Sequence, residues 1–144
     1  MRLDLYLSET ARYALAQSAL LADVRERLNR GETLSALELN GVLHAWQVLI
    51  ENAIGKAKQT LKSAGEHVPV SAYDAFAALV GRGEISEVNR ADWYAIVGLR
   101  NRIVHEYMGI DMDRVLALVR EGRFELIVEF LLKPVPRGTG GLGS

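Results

Sequence analysis

No proline occurs before Pro69, and throughout the residues that precede it apolar side chains return every three or four positions. Proline fixes φ and removes an amide donor, so its absence leaves helices free to run long. The recurrence selects helix over strand. A first helix is predicted from about Leu3 to Arg30: Leu7, Ala14, Leu21 and Leu28 fall seven apart with Leu3 and Val24 beside them, and Gly31 is the stop. A second starts at Ser35-Ala36-Leu37-Glu38, a capping box in which serine and glutamate each bond an unpaired amide. Its stripe runs Leu39, Val42, Leu43, Trp46, Leu49, Ile50, Ala53, Ala57, Leu61 and ends near Gly65. Long helices joined by a short loop pack antiparallel.

The rest of the chain continues in shorter pieces. Ser71-Ala72-Tyr73-Asp74 caps a third helix ending near Gly81. A fourth is expected from Ser86 to Met108 with Gly109 as terminator. Asp111 and Asp113 open a further short helix, where acidic groups suit the helix dipole, and a last one spans Arg123 to Leu132. The fold class is therefore all-α, an up-and-down helical bundle with one or two short extra helices. Residues 1–133 form one domain, and 134–144, with Pro134, Pro136 and a glycine-rich end, form a flexible C-terminal tail.

Composition narrows the function classes. The chain has no cysteine, which removes disulfides and thiolate metal sites and fits a reducing cytoplasm. No signal peptide or membrane-length apolar run is visible. A net charge of −1 excludes a general polyanion binder, so any nucleic-acid contact must be local. Lys56, Lys58 and Lys62 form a small basic cluster on the second helix, read as a solvated face in preference to a contact with a polyanion or a protein partner.

Chemistry concentrates in Arg100-Asn101-Arg102-Ile103-Val104-His105-Glu106-Tyr107. The segment joins a fixed positive charge, a group titrating near neutrality and a hydroxyl, a set suited to phosphodiester chemistry. At about 100° per residue, Trp93, Ile96, Val97, Leu99, Ile103 and Val104 share an arc with Arg100 and Tyr107. A guanidinium in an apolar stripe needs a partner or a wet cleft. Asn101 and His105 are four apart and adjacent, and Gly98 opens their sector to a close neighbour. Arg100 and His105, about 140° apart, do not converge on one straight helix. A bend or a second copy must bring them together. Taken singly, each residue has a structural reading: a salt-bridged arginine, a histidine on the helix dipole, a packing tyrosine. His44 and His67 receive no role.

The segment resembles the HEPN superfamily and within it the HepT-type toxins, marked by an arginine, four residues, a histidine, one residue and a tyrosine. Here these are Arg100, His105 and Tyr107. The flanks Val97-Gly98-Leu99 and Met108-Gly109-Ile110-Asp111, and the order of two long helices, a short one and the motif helix, extend the likeness. The resemblance implies a homodimeric, metal-independent endoribonuclease toxin with no cofactor, its cleft composed across the dimer interface. It also implies a neighbouring minimal nucleotidyltransferase (MNT) antitoxin that neutralises the toxin by AMPylation of the motif tyrosine, Tyr107.

On that reading RNA supplies its own nucleophile, the 2′-hydroxyl. His105 takes the hydroxyl proton or protonates the leaving oxygen, Arg100 stabilises phosphate charge, and Asn101 orients His105 or bonds a phosphate oxygen. Arg102, on the opposite face, is an RNA or partner contact. The competing readings are a non-catalytic HEPN partner that binds substrate or nucleotide for a nucleotidyltransferase, and a helical dimerisation protein with no ligand.

Overall fold

The computed structural model describes residues 2–135. Six α-helices follow one another: α1 (Arg2–Asn29), α2 (Ala36–Ser63), α3 (Ala72–Gly81), α4 (Arg90–His105), α5 (Met112–Arg120) and α6 (Phe124–Leu132). Short 3-10 turns at Glu87–Asn89 and Tyr107–Gly109 flank α4. The all-α bundle is as the sequence predicts, and the expected tail lies outside the described residues from Pro136 onward.

The helix boundaries have local causes. Both halves of the capping box form: the Ser35 amide donates to Glu38 Oε1 at 2.8 Å and the Glu38 amide to Ser35 Oγ at 3.1 Å. Gly31 and Gly65 stop α1 and α2 at φ of 80° and 75°, which only glycine adopts freely. In each case the amide beyond the glycine bonds back to a carbonyl of the last turn, Glu32 to Arg27 and Glu66 to Leu61.

Helix α2 is the hub, packing against α1, α3, α4 and α6. Val42, Leu43, Trp46, Leu49, Ile50, Ala53, Ala57 and Leu61 are all buried, as its stripe predicts. Ala14, Leu21 and Leu28 of α1 close over it. An aromatic cluster joins the shorter helices: Phe76 stacks on Trp93 at 4.4 Å, and Phe130 meets Trp93 edge-on at 5.1 Å. Such pairs add about 0.5–1.5 kcal/mol each beyond area burial.

Two expectations are corrected here. Lys56 is not on a solvated face but 2% exposed. Its Nζ donates to the carbonyl oxygens of Phe130 at 2.6 Å, Leu131 at 3.3 Å and Lys133, collecting the unpaired acceptors at the end of α6. Burial, with the neighbouring Lys133 charge, pushes its ammonium down to about 8. Lys58 is also engaged, donating to the Val70 carbonyl at 2.8 Å. The fourth helix, in turn, is shorter than expected. It begins at Arg90 and ends at His105, where Glu106 leaves helical geometry at φ −131° and ψ 34°. Past Ile103 nothing is buried until α5, and Met108 is 96% exposed. No packing rewards another turn, and helices owe most of their stability to packing.

Two outcomes test these contacts. Lys56→Met should leave the α6 carbonyls without their donor and lower unfolding stability by about 1–3 kcal/mol; an unchanged urea midpoint would show that solvent replaces the lysine. Glu38 also pairs with Arg27 across the α1–α2 loop. The Arg27 guanidinium and the Ser35 amide hold its carboxyl at about 2, against an ordinary 4.5. Its folded pKa is depressed, so its contribution is present above 4.5 and is lost as pH falls towards 2. Glu38→Gln should flatten the loss of stability in that window, measured by urea denaturation at several pH values.

Candidate active site

Trp93, Ile96, Val97, Leu99 and Ile103 anchor α4 in the core and fix its rotation. That rotation puts Arg100 at the edge of the buried arc, facing α2. Its Nε lies 3.3 Å from Glu51 Oε2, and its Nη1 donates to Asn101 Oδ1 at 3.0 Å. The Nε is buried and its approach to Glu51 is too oblique for a hydrogen bond, so an ion pair alone holds it. The guanidinium is thus neither sealed in the core nor free: its side chain is 23% exposed and paired with a carboxylate that is itself half in solvent.

His105 is the last residue of α4 and is exposed. A cation there meets the negative end of the helix dipole. Among the described residues no side-chain hydrogen bond or ion pair joins its imidazole to Arg100 or to Asn101, whose amide oxygen is taken by Arg100. Arg100 turns to Glu51 and Asn101, and His105 stands at the exposed helix end with no side-chain contact to it.

Tyr107 departs from the helical wheel. It sits beyond the end of α4, in the 3-10 turn, so it does not share a helical face with Arg100. Its hydroxyl donates instead to Asn40 Oδ1 on α2 at 2.7 Å, while the ring stays half-exposed. Arg102 points elsewhere: it lines a cavity of about 320 Å³ between the end of α4 and α5, with Glu106, Asp111 and Arg114. A Cβ at Gly98 would meet the Tyr73 hydroxyl and Arg102 Nη1, both at an ordinary 3.6 Å, so among the described residues no backbone lies against the gap.

Sequence reasoning missed the contribution of α2. Asn40 holds the tyrosine and Glu51 the arginine. The signal was present: Asn40, His44, Gln47 and Glu51 stand at i, i+4, i+7 and i+11, a polar stripe on a helix otherwise filled with core residues. His44, given no role, is one of its exposed members.

Residues 14–133 match the family described as Ribonuclease HepT-like, and the chain belongs to that family. Its fold is similar to that of a tri-AMPylated HEPN toxin from Shewanella oneidensis in complex with MNT antitoxin, at 19% identity and a TM-score of 0.73, covering 88% of this chain and 96% of the other. A toxin–antitoxin crystal structure with AMP-PNP is similar at 18% identity and a TM-score of 0.72, covering 88% and 97%. No curated protein matches the chain in sequence. No described helix is long and apolar enough to cross a membrane.

Proposed function

We propose that the chain is the ribonuclease toxin of a cytoplasmic toxin–antitoxin pair, cleaving RNA without a metal in a cleft shared by two copies. The observation that carries this reading is that Arg100 and His105 share no side-chain contact among the described residues. Arg100 is turned towards α2 and His105 stands exposed at the helix end. A symmetric pair of chains would let the arginine of one protomer and the histidine of its partner face a single phosphate.

The chemistry then needs few parts. The RNA 2′-hydroxyl attacks the adjacent phosphorus, and the bond to the 5′-oxygen breaks, leaving a 2′,3′-cyclic phosphate and a 5′-hydroxyl. His105 carries a proton at one of these oxygens. Arg100 neutralises charge growing on the phosphoryl oxygens, exchanging Glu51 for the phosphate as it does so. Asn101 steadies the guanidinium through its 3.0 Å bond, a more direct role than orienting His105. Arg102, opening on a different cavity, serves as an outlying RNA or partner contact.

Tyr107 suits the site of neutralisation. Its hydroxyl reaches the surface and is held by one neutral acceptor, Asn40. An AMP group there would break that bond and place a phosphate and a nucleoside at the mouth of the cleft. The AMPylated state and MNT partner of the Shewanella toxin with this fold support a nucleotidyltransferase antitoxin for this chain too.

His105→Ala should abolish RNA cleavage while circular dichroism stays unchanged, and Arg100→Ala should slow cleavage by about 10²–10³-fold. Retained cleavage by the histidine variant would sink the mechanism. Incubation with the cognate nucleotidyltransferase and ATP should add AMP mass to a peptide containing Tyr107 and silence the nuclease. Modification confined to other residues would refute the assignment.

A further inference from the structure

An open groove of about 370 Å³ lies between α1 and α2, lined by Tyr13, His44, Gln47, Val48, Glu51 and Asn52. Its size falls within the range of small-ligand sites, about 300–1,000 Å³. All but Val48 carry a hydrogen-bonding group. Among the described residues, no hydrogen bond occupies the side-chain heads of His44, Gln47 or Asn52, so their capacity is unspent. The carboxamides of Gln47 and Asn52, both in the lining, bring donors and acceptors to the groove, groups that a base edge can answer. Tyr13 is 45% exposed and supplies a flat aromatic wall, with the Arg12 guanidinium 4.9 Å from its ring centroid.

The place of the groove gives it a role. Glu51 belongs to its lining and is also the ion-pair partner of Arg100. One side chain therefore separates the groove from the guanidinium. The lining argues against a second copy or a protein helix as occupant, since it offers one aliphatic side chain among five polar or aromatic ones. A single-stranded nucleobase matches it: recognition of unpaired RNA relies on aromatic stacking and on hydrogen bonds to base edges.

We propose that this groove is a base-binding subsite, in which Tyr13 stacks on, and Gln47 and Asn52 hydrogen-bond to, an unpaired nucleobase next to the phosphate held by Arg100. The proposal rests on the ribonuclease reading and gives its substrate a class, single-stranded RNA with an unstacked base flanking the cut. His44, at the end of the groove towards Asn40, is the neighbouring contact. Bases that fill the groove should then bias where the chain cuts.

The test uses the full-length chain and a fluorescent pentanucleotide of 2′-O-methyl RNA, which lacks the nucleophile and so reports binding alone. Versions with a single abasic position, walked along the strand, are compared by anisotropy. The wild type should lose affinity by on the order of tenfold when the abasic position reaches the groove. Tyr13→Ala should lose the same on the intact strand and become indifferent to the abasic one, while Tyr13→Phe stays near wild type. Equal affinity of wild type and Tyr13→Ala, or equal loss on all strands, overturns the subsite. So does a Tyr13→Ala variant that dissociates into monomers by light scattering with its RNA affinity intact, because the groove would then be a protein interface. Cleavage measured in parallel separates the two claims. No cleavage of unmodified RNA with Tyr13-dependent binding removes the nuclease and keeps the subsite; normal cleavage with Tyr13-insensitive binding does the reverse.

Discussion

Burial of one face of α2 is the constraint on which the molecule depends. Its apolar stripe, from Val42 to Leu61, meets α1, α3, α4 and α6, so four of the other five helices share it as a common packing surface. A helix so completely committed has little surface to spare. Beside that stripe runs a polar strip, and two of its members, Asn40 and Glu51, hold Tyr107 of the 3-10 turn and Arg100 of α4. The same helix therefore builds the core and furnishes one wall of the site. Its rigidity is what lets a pair of modest polar contacts have a defined geometry.

Much of this was legible in the residues themselves. The Ser35–Glu38 capping box, the glycine stops at Gly31 and Gly65 and the seven-residue spacing of Ala14, Leu21 and Leu28 are local signals, and each element follows them to within a residue or two. The motif positions were legible too, because Arg100, His105 and Tyr107 are close in the chain. Their surroundings were not. Asn40 stands sixty-seven positions from Tyr107, and the Phe130 carbonyl seventy-four from Lys56. Helical spacing puts Lys56, seven residues after Leu49 and three after Ala53, on the buried face and leaves Lys62 exposed, but the carbonyls that receive the Lys56 ammonium come from the far end of the chain. The end of α4 was misread because Gly109 is a good terminator, whereas the helix stops earlier for want of anything to bury.

The electrostatics of the motif follow from a compromise. A guanidinium at the edge of a core cannot be left without a counter-charge, since an unpaired buried charge costs several kcal/mol (about 3–5 when one partner of a buried pair is removed). Yet a catalytic cation fully satisfied by its own chain would have nothing left for substrate. The pairing of Arg100 with a half-exposed Glu51, through an ion pair without a well-formed hydrogen bond, meets both demands. The net charge of −1 means that the chain as a whole offers a polyanion no general attraction.

The clasp that Lys56 makes on the end of α6 fixes where the polypeptide leaves the bundle. Lys56 stands sixteen positions along α2 from Asn40, which is about 24 Å at 1.5 Å per residue. A purification handle or a fluorescent domain spliced on behind Val135 would thus be tethered at the far end of the rod from the motif tyrosine. The end of α6 at Lys133 is the side of the bundle remote from what its motif meets.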